Sequence, residues 1–359
     1  MRTFWLGVEK VEQIRNKLSP VLLYLENKSM KLPGGGSTLC YKDRPKHAVM
    51  IDYLKQFLTA YKNKRKFFFS FVAELCHEYP NFLSYGDEDI LEFFKWLKSG
   101  GVLENAVLVF FSDHGSRIDQ IRNTFVGRIE DRMPMMHVVV PDHIRTKHPS
   151  AVENLQLNLD RLTTPFDMHQ TLVDVLNDNF EKPSTSFIGD SLRSLSLFQP
   201  VSTERSCLDA WVPENYCACY TSTPVNVSEG TLAQDLATVM IDGLNRKFEN
   251  EPRCVKLTLN KITDVRLVTN GLQHASTENT GISFLQFFRP EEVTKLRYDI
   301  TIETLPGRGA FEATYHVTSG SQILLLGDIV RINKYGNQSI CITDKLLRPY
   351  CFCQDQIQN

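Results

Sequence analysis

Residues 108–117 read LVFFSDHGSR: an apolar, strand-forming run that stops at an acid, an imidazole and a glycine. On a regular strand the adjacent Asp113 and His114 would point to opposite faces. At the end of the strand, where Gly115 lets the chain turn, the two side chains can converge on one cation. A carboxylate beside an imidazole suits zinc, manganese or iron, and the hard oxygen leaves magnesium and calcium open. The plain structural alternative is an Asp that caps the next helix and a His that bonds a backbone carbonyl.

The surrounding pattern gives that stretch its setting. Residues 47–61 carry Val49, Met50, Leu54, Phe57, Leu58 and Tyr61 at helical spacing. KFFFSFVAEL (66–75) reads as a strand buried on both faces, as parallel strands are. SYGDEDILEFFKWLKSGG, acidic at its start and stopped by Ser99-Gly100-Gly101, reads as a helix. AVLVFFSDHG and MPMMHVVVP are two more strands, and TTPFDMHQTLVDVLND is a helix with Pro165 in its first turn. Strands alternating with helices predict an α/β fold, a doubly wound sheet in which ligands bind beyond the carboxyl ends of the strands. Asp113 and His114 end one such strand. His77 ends the preceding one, flanked by Glu74 and Glu78, so it is expected on the same rim as a further metal ligand or as a simple loop histidine. Arg117 and Arg128 are candidates to pair with an anionic substrate or, equally, solvated side chains.

Bulk properties exclude several classes. The chain has 359 residues, 42% hydrophobic and 23% charged, which is ordinary for a folded protein. A net charge of −2 gives no reason to expect nucleic acid as a partner, and no apolar run reaches the ~20 residues of a membrane span. Of nine cysteines, only Cys40 and Cys76 precede residue 200; Cys207, Cys217, Cys219, Cys254, Cys341, Cys351 and Cys353 follow it. That clustering predicts disulfides and an extracellular or secretory location. Zinc is the competitor, because C-x-C occurs twice. Sequons at Asn27, Asn226 and Asn337 fit a glycoprotein, although no secretory signal opens the chain.

Beyond residue 198 the composition changes. Residues 199–250 read as a cysteine-containing connection followed by an amphipathic helix with Leu232, Leu236, Val239, Met240 and Leu244 on one stripe. Residues 251–359 carry alternating segments such as LRYDITIETL, FEATYHVT and ILLLGDIVRI, which predict an antiparallel β-rich domain.

Three segments together resemble the alkaline phosphatase superfamily, which includes sulfatases and nucleotide phosphodiesterases. VLVFFSDHGSR resembles its S-D-H-G strand end, GRIEDRMPMMHVVVP its G-x-x-E-x-x-x-P segment, and PFDMHQTLVDVL its D-x-x-P-T-L helix with Gln170 in place of proline. CYKDRPKHAVMIDYLKQF, ELCHEYPN and RINKYGNQSICITDKLLRPYCFC are more closely similar to the sulfatase-like domain of unknown function 229 of animal extracellular proteins. The resemblance implies a partial alkaline-phosphatase-like α/β domain over residues 1–198. It makes Asp113 and His114 ligands of one divalent metal, zinc or manganese, and His77 a ligand of a second metal or a substrate contact. The phosphodiesterase branch has an Asp four residues before that histidine, where this chain has Ala73. The first acidic strand and the Thr, Ser or Cys nucleophile of the superfamily are not found ahead of His77. Cys40 in CYKDR imitates the sulfatase C-x-P-x-R pattern but has Lys42 for proline, and Ser37 and Thr38 follow a glycine run without a strand. No catalytic residue is therefore assigned. The implied function is a metal-dependent ester hydrolase or transferase domain that is truncated and inactive as it stands. The alternative is a non-catalytic extracellular binding protein, a pseudoenzyme whose partner is another extracellular protein rather than an anionic ester.

Overall fold

The structure, a computed structural model, describes residues 39–41, 43–73, 75–77, 79–117, 119–188, 191–226, 231–270 and 296–357. The chain divides into two compact units: residues up to Phe110 with His137–His143, and Phe111–Met136 with Ile144 onward. No helix among the described residues is long and apolar enough to cross a membrane.

In the first unit, a short hairpin of β1 (Cys40–Tyr41) and β2 (Arg44–Pro45) leads into α1 (Lys46–Ala60). α2 (Asp87–Ser99) begins with three acids in its first turn, which favour the positive end of the helix dipole. It ends at Gly100 and at Gly101, whose φ of 70° a side chain would resist. α1 and α2 are tied by His47 Nε2 and Asp89 Oδ2 at 2.8 Å. The expected strand over KFFFSFVAEL does not form: residues 65–73 carry no strand assignment. Its apolar character has another cause. Phe68 packs its ring, tilted, against those of Tyr53 and Phe57 of α1, so the segment coats a helix.

β3 (Leu108–Phe111) and β4 (Met136–Val139) pair as a two-stranded sheet. In the second unit, α3 (Phe125–Arg132) starts at Thr124, whose hydroxyl accepts from Gly127 N at 3.0 Å. Next come α4 (Asp142–Lys147), which runs across the boundary between the units, and α5 (Pro149–Leu157). α6 (Pro165–Asn177) then starts with a capping box between Thr164 and Asp167 and with Pro165 in its first turn. A hairpin of β5 (Thr185–Ile188) and β6 (Ser191–Leu195) packs beside it.

The larger sheet is antiparallel throughout, in the order β11-β10-β9-β8-β7. Its strands are β7 (Tyr220–Pro224), β8 (Thr258–Asn270), β9 (Leu296–Leu305), β10 (Gly309–Val317) and β11 (Ile323–Arg331). α7 (Leu232–Lys247) lies on one face. Its stripe of Leu236, Met240 and Leu244 is fully buried against Val265, Ile300, Ile302, Phe311, Ala313 and Tyr315. Each large aliphatic side chain so buried contributes about 1.5–3 kcal/mol.

Three disulfides cross-link this unit: Cys207–Cys217, Cys254–Cys351 and Cys341–Cys353. Cys254–Cys351 ties the C-terminal segment to the chain ahead of β8, where Cys254 and Cys353 also pair in an isolated antiparallel bridge, and Cys341–Cys353 closes a loop within that segment. Cys254–Cys351 spans 97 residues, a separation at which cross-linking restricts the unfolded chain by about 4–5 kcal/mol. The sulfur clusters that C-x-C spacing could have given to zinc are thus occupied by covalent pairing, with Cys219 as a thiol beside Cys207–Cys217. The fold is mixed α/β with a disulfide-linked, β-rich C-terminal part.

Candidate functional site

The SDHG turn is built by two glycines. A Cβ on Gly115 would lie 2.3 Å from the carbonyl oxygen of Glu130, so only glycine lets the turn touch the backbone at the end of α3. Gly115 N donates to the carbonyl of Asp131 at 3.3 Å, and Ser112 N to that of Met135 at 3.1 Å. A Cβ on Gly127 would meet the Ile121 carbonyl at 2.0 Å. The S-D-H-G and G-x-x-E-x-x-x-P segments are therefore two halves of one local framework.

On that framework, Asp113 is exposed and His114 half-buried. His114 Nδ1 lies 2.6 Å from the Gly115 carbonyl. A carbonyl only accepts, so Nδ1 carries a proton, and a metal would be taken through Nε2. Nε2 stands 3.5 Å from Asp113 Oδ2. Two ligands of a tetrahedral ion bound at about 2.0–2.1 Å lie roughly 3.4 Å apart, so the pair fits a shared divalent cation. The carbonyl behind Nδ1 is the outer partner that metal-bound histidines characteristically have.

The other predicted residues have definite places. His77, in the first unit, is exposed at a turn where its N–H bonds the Ala73 carbonyl at 3.0 Å. Glu74 and Glu78 lie outside the described residues. Arg117 is exposed, its Nε 3.5 Å from Asp131 Oδ1. Cys40 is half-buried on β1 and forms no disulfide.

Arg128 is buried in a cluster of charges that sequence reading passed over. Its Nη1 donates to Asp299 Oδ2 at 3.2 Å and its Nη2 to Thr301 Oγ1 at 3.0 Å. Glu312 is the centre: Arg122 grips it through both Nη atoms at 3.0 and 3.2 Å, Arg132 bonds it, and Arg128 Nε lies 2.8 Å away. Arg122 Nε also donates to Asp131 Oδ2 at 3.1 Å. Burial pushes the Glu312 carboxyl up, but Arg128, Arg132 and Arg122 outweigh it and hold the carboxyl down at about 2. The arginines do not share equally. Arg122, served by Glu312 and Asp131, ends above the ordinary value despite burial. Burial carries Arg132 below it, since it faces one close carboxylate and two like-charged neighbours. Sequence offered half of the signal, since Arg128 and Arg132 stand four apart on one helical face; that Asp299, Thr301, Glu312 and Thr314 face them comes from the fold.

The D-x-x-P-T-L-like segment also proves architectural. Asp167, fully buried, accepts from Thr164 N, Leu195 N and both Nη atoms of Arg205. Thr171 Oγ1 accepts from Leu197 N at 2.8 Å and donates to the Asp167 carbonyl. These residues clamp α6 to the chain that follows β6.

A mixed α/β chain with this turn and a disulfide-linked β-rich part defines the class. Residues 17–263 match the family described as "Protein of unknown function (DUF229)", and the chain belongs to that family. No curated protein and no solved structure matches it.

Proposed function

We propose that this chain is an alkaline-phosphatase-like, extracellular module whose SDHG turn holds a divalent cation, zinc or manganese, for work on phosphoric or sulfuric esters. The observation that carries the reading is the 3.5 Å approach of His114 Nε2 to Asp113 Oδ2, with Nδ1 committed to the Gly115 carbonyl. A bound cation would supply a Lewis acid for an ester oxygen. The chain's own contribution is to fix the imidazole tautomer and to leave Arg117, exposed beside the turn, for the anionic substrate. The disulfides support an oxidising, extracellular setting.

The test is a calorimetric titration of zinc and of manganese into the purified chain and its Asp113→Asn and His114→Gln variants. Losing a ligand should weaken the metal by at least about 100-fold, the upper end of what an outer partner alone costs. Equal affinity in wild type and Asp113→Asn removes the metal reading. With no nucleophile assigned, hydrolysis of aryl phosphate or sulfate is not expected of this chain; turnover that depends on the added metal would remove the binding-protein alternative.

A further inference from the structure

The charged face of the large sheet ends in a small cavity of about 30 Å³ between α3 and strands β7, β8 and β9. Arg128 and Arg132 of α3 line it together with Arg297 and Asp299 of β9 and Tyr220 and Ser222 of β7. Each of the three arginine side chains is more than nine-tenths buried. In each, the Nε–H is a buried donor without a hydrogen-bonded acceptor. Arg128 Nε does lie 2.8 Å from Glu312 Oε2, near enough to attract but too poorly aligned to count as a hydrogen bond.

The lining carries three guanidinium groups and the Asp299 carboxylate, and Glu312 and Glu214 pair with the arginines from outside it. Both oxygens of the lining carboxylate are already engaged, since Asp299 accepts from Arg128 at 3.2 Å and from Thr314 Oγ1 at 2.7 Å. Arg297 reaches out to Glu214, a carboxylate that is one-third exposed, with Nη1 at 2.7 Å. Ser222 accepts from Arg266 Nε at 2.8 Å, which leaves its hydroxyl proton free to donate inward. Buried charged donors without acceptors are costly, and the space exceeds the ~10–15 Å³ that one water needs.

We propose that this cavity binds a small tetrahedral oxyanion, sulfate or phosphate, held by Arg128, Arg132 and Arg297 with help from the Ser222 hydroxyl. An oxyanion supplies several charged acceptors at once to the unmet Nε–H donors, where a water supplies neutral ones. Arg132 gains most, because burial has already weakened its hold on the proton and Glu312 is its one close counter-charge. The site is independent of the metal reading, for neither Asp113 nor His114 lines the cavity.

Equilibrium dialysis of the full chain against radiolabelled sulfate, and separately phosphate, at an ionic strength fixed with chloride, provides the test. At least one ion should bind saturably at one per chain. Arg132→Gln should weaken it about tenfold or more, the loss expected for one charge-assisted donor. Arg132→Lys should retain part of the affinity, and the exposed Arg253→Gln should not change it. Asp113→Asn should bind the oxyanion like wild type, which keeps this proposal separate from the metal site. If Arg132→Gln does not fold, selenate soaked into wild-type crystals decides, with an anomalous peak expected among the three guanidinium groups. No saturable binding of either ion, or selenate elsewhere with the cavity holding water, overturns the proposal.

Discussion

In the central strands of the five-stranded sheet, β9 and β10, both faces are buried, yet they are built from opposite chemistry. Towards α7, the inward residues of β9 and β10 (Tyr298, Ile300, Ile302, Phe311, Ala313 and Tyr315) make an apolar core. Their alternates, Asp299, Thr301, Glu312 and Thr314, are equally inaccessible but meet the arginines that precede and form α3. The apolar face gains from area removed from water and tolerates changes that conserve volume. The charged face gains little net from its pairs but is expensive to leave half-made, because each buried charge needs its partner. Burial therefore does not mean one thing across this sheet: it measures packing on one side and charge matching on the other.

That contrast can be broken by mutation. Glu312→Gln leaves Arg122, Arg128 and Arg132 facing each other without their shared carboxylate, and should cost about 3–5 kcal/mol in denaturant unfolding. Leu236→Ala on the apolar face, a truncation of a fully buried side chain, should cost about 3 kcal/mol. If Glu312→Gln costs less than Leu236→Ala, the charge cluster is not the tight, dry network described here.

Acid separates the faces more cleanly. The Glu312 carboxyl titrates at about 2 in the fold against an ordinary 4.5, so it stabilises fully above about 4.5. That contribution should fade as pH falls from about 4.5 to about 2. Leu236→Ala should keep this wild-type acid slope in its thermal midpoint. Glu312→Gln should flatten it between those limits, and an unchanged slope would assign acid sensitivity to other groups.

Much of the architecture was legible in sequence because single elements announce themselves. The acids of α2, Pro165 at the start of α6, the Leu236–Met240–Leu244 stripe of α7 and the alternation of LRYDITIETL all lie where their spacing puts them. Two things were not legible. KFFFSFVAEL has the composition of a buried strand, but composition does not say whether a strand or a helix covers it, and here the cover is α1. The outward residues of β9 and β10 look solvent-facing, because alternation alone cannot reveal a second layer whose Arg128 stands 171 residues before Asp299. At the turn, sequence named Asp113 and His114 and the need for Gly115; the tautomer-fixing carbonyl belongs to geometry. Arg128 was noticed for its charge, and its partners Asp299 and Glu312 emerged only from the fold.

The claim that the SDHG turn is a metal centre is met most directly by X-ray absorption at the zinc edge on protein loaded with one equivalent of zinc. The account predicts a shell of nitrogen and oxygen at about 2.0–2.1 Å with imidazole scattering that disappears in His114→Gln. A sulfur shell at about 2.3 Å, or an imidazole signal indifferent to that substitution, would contradict it.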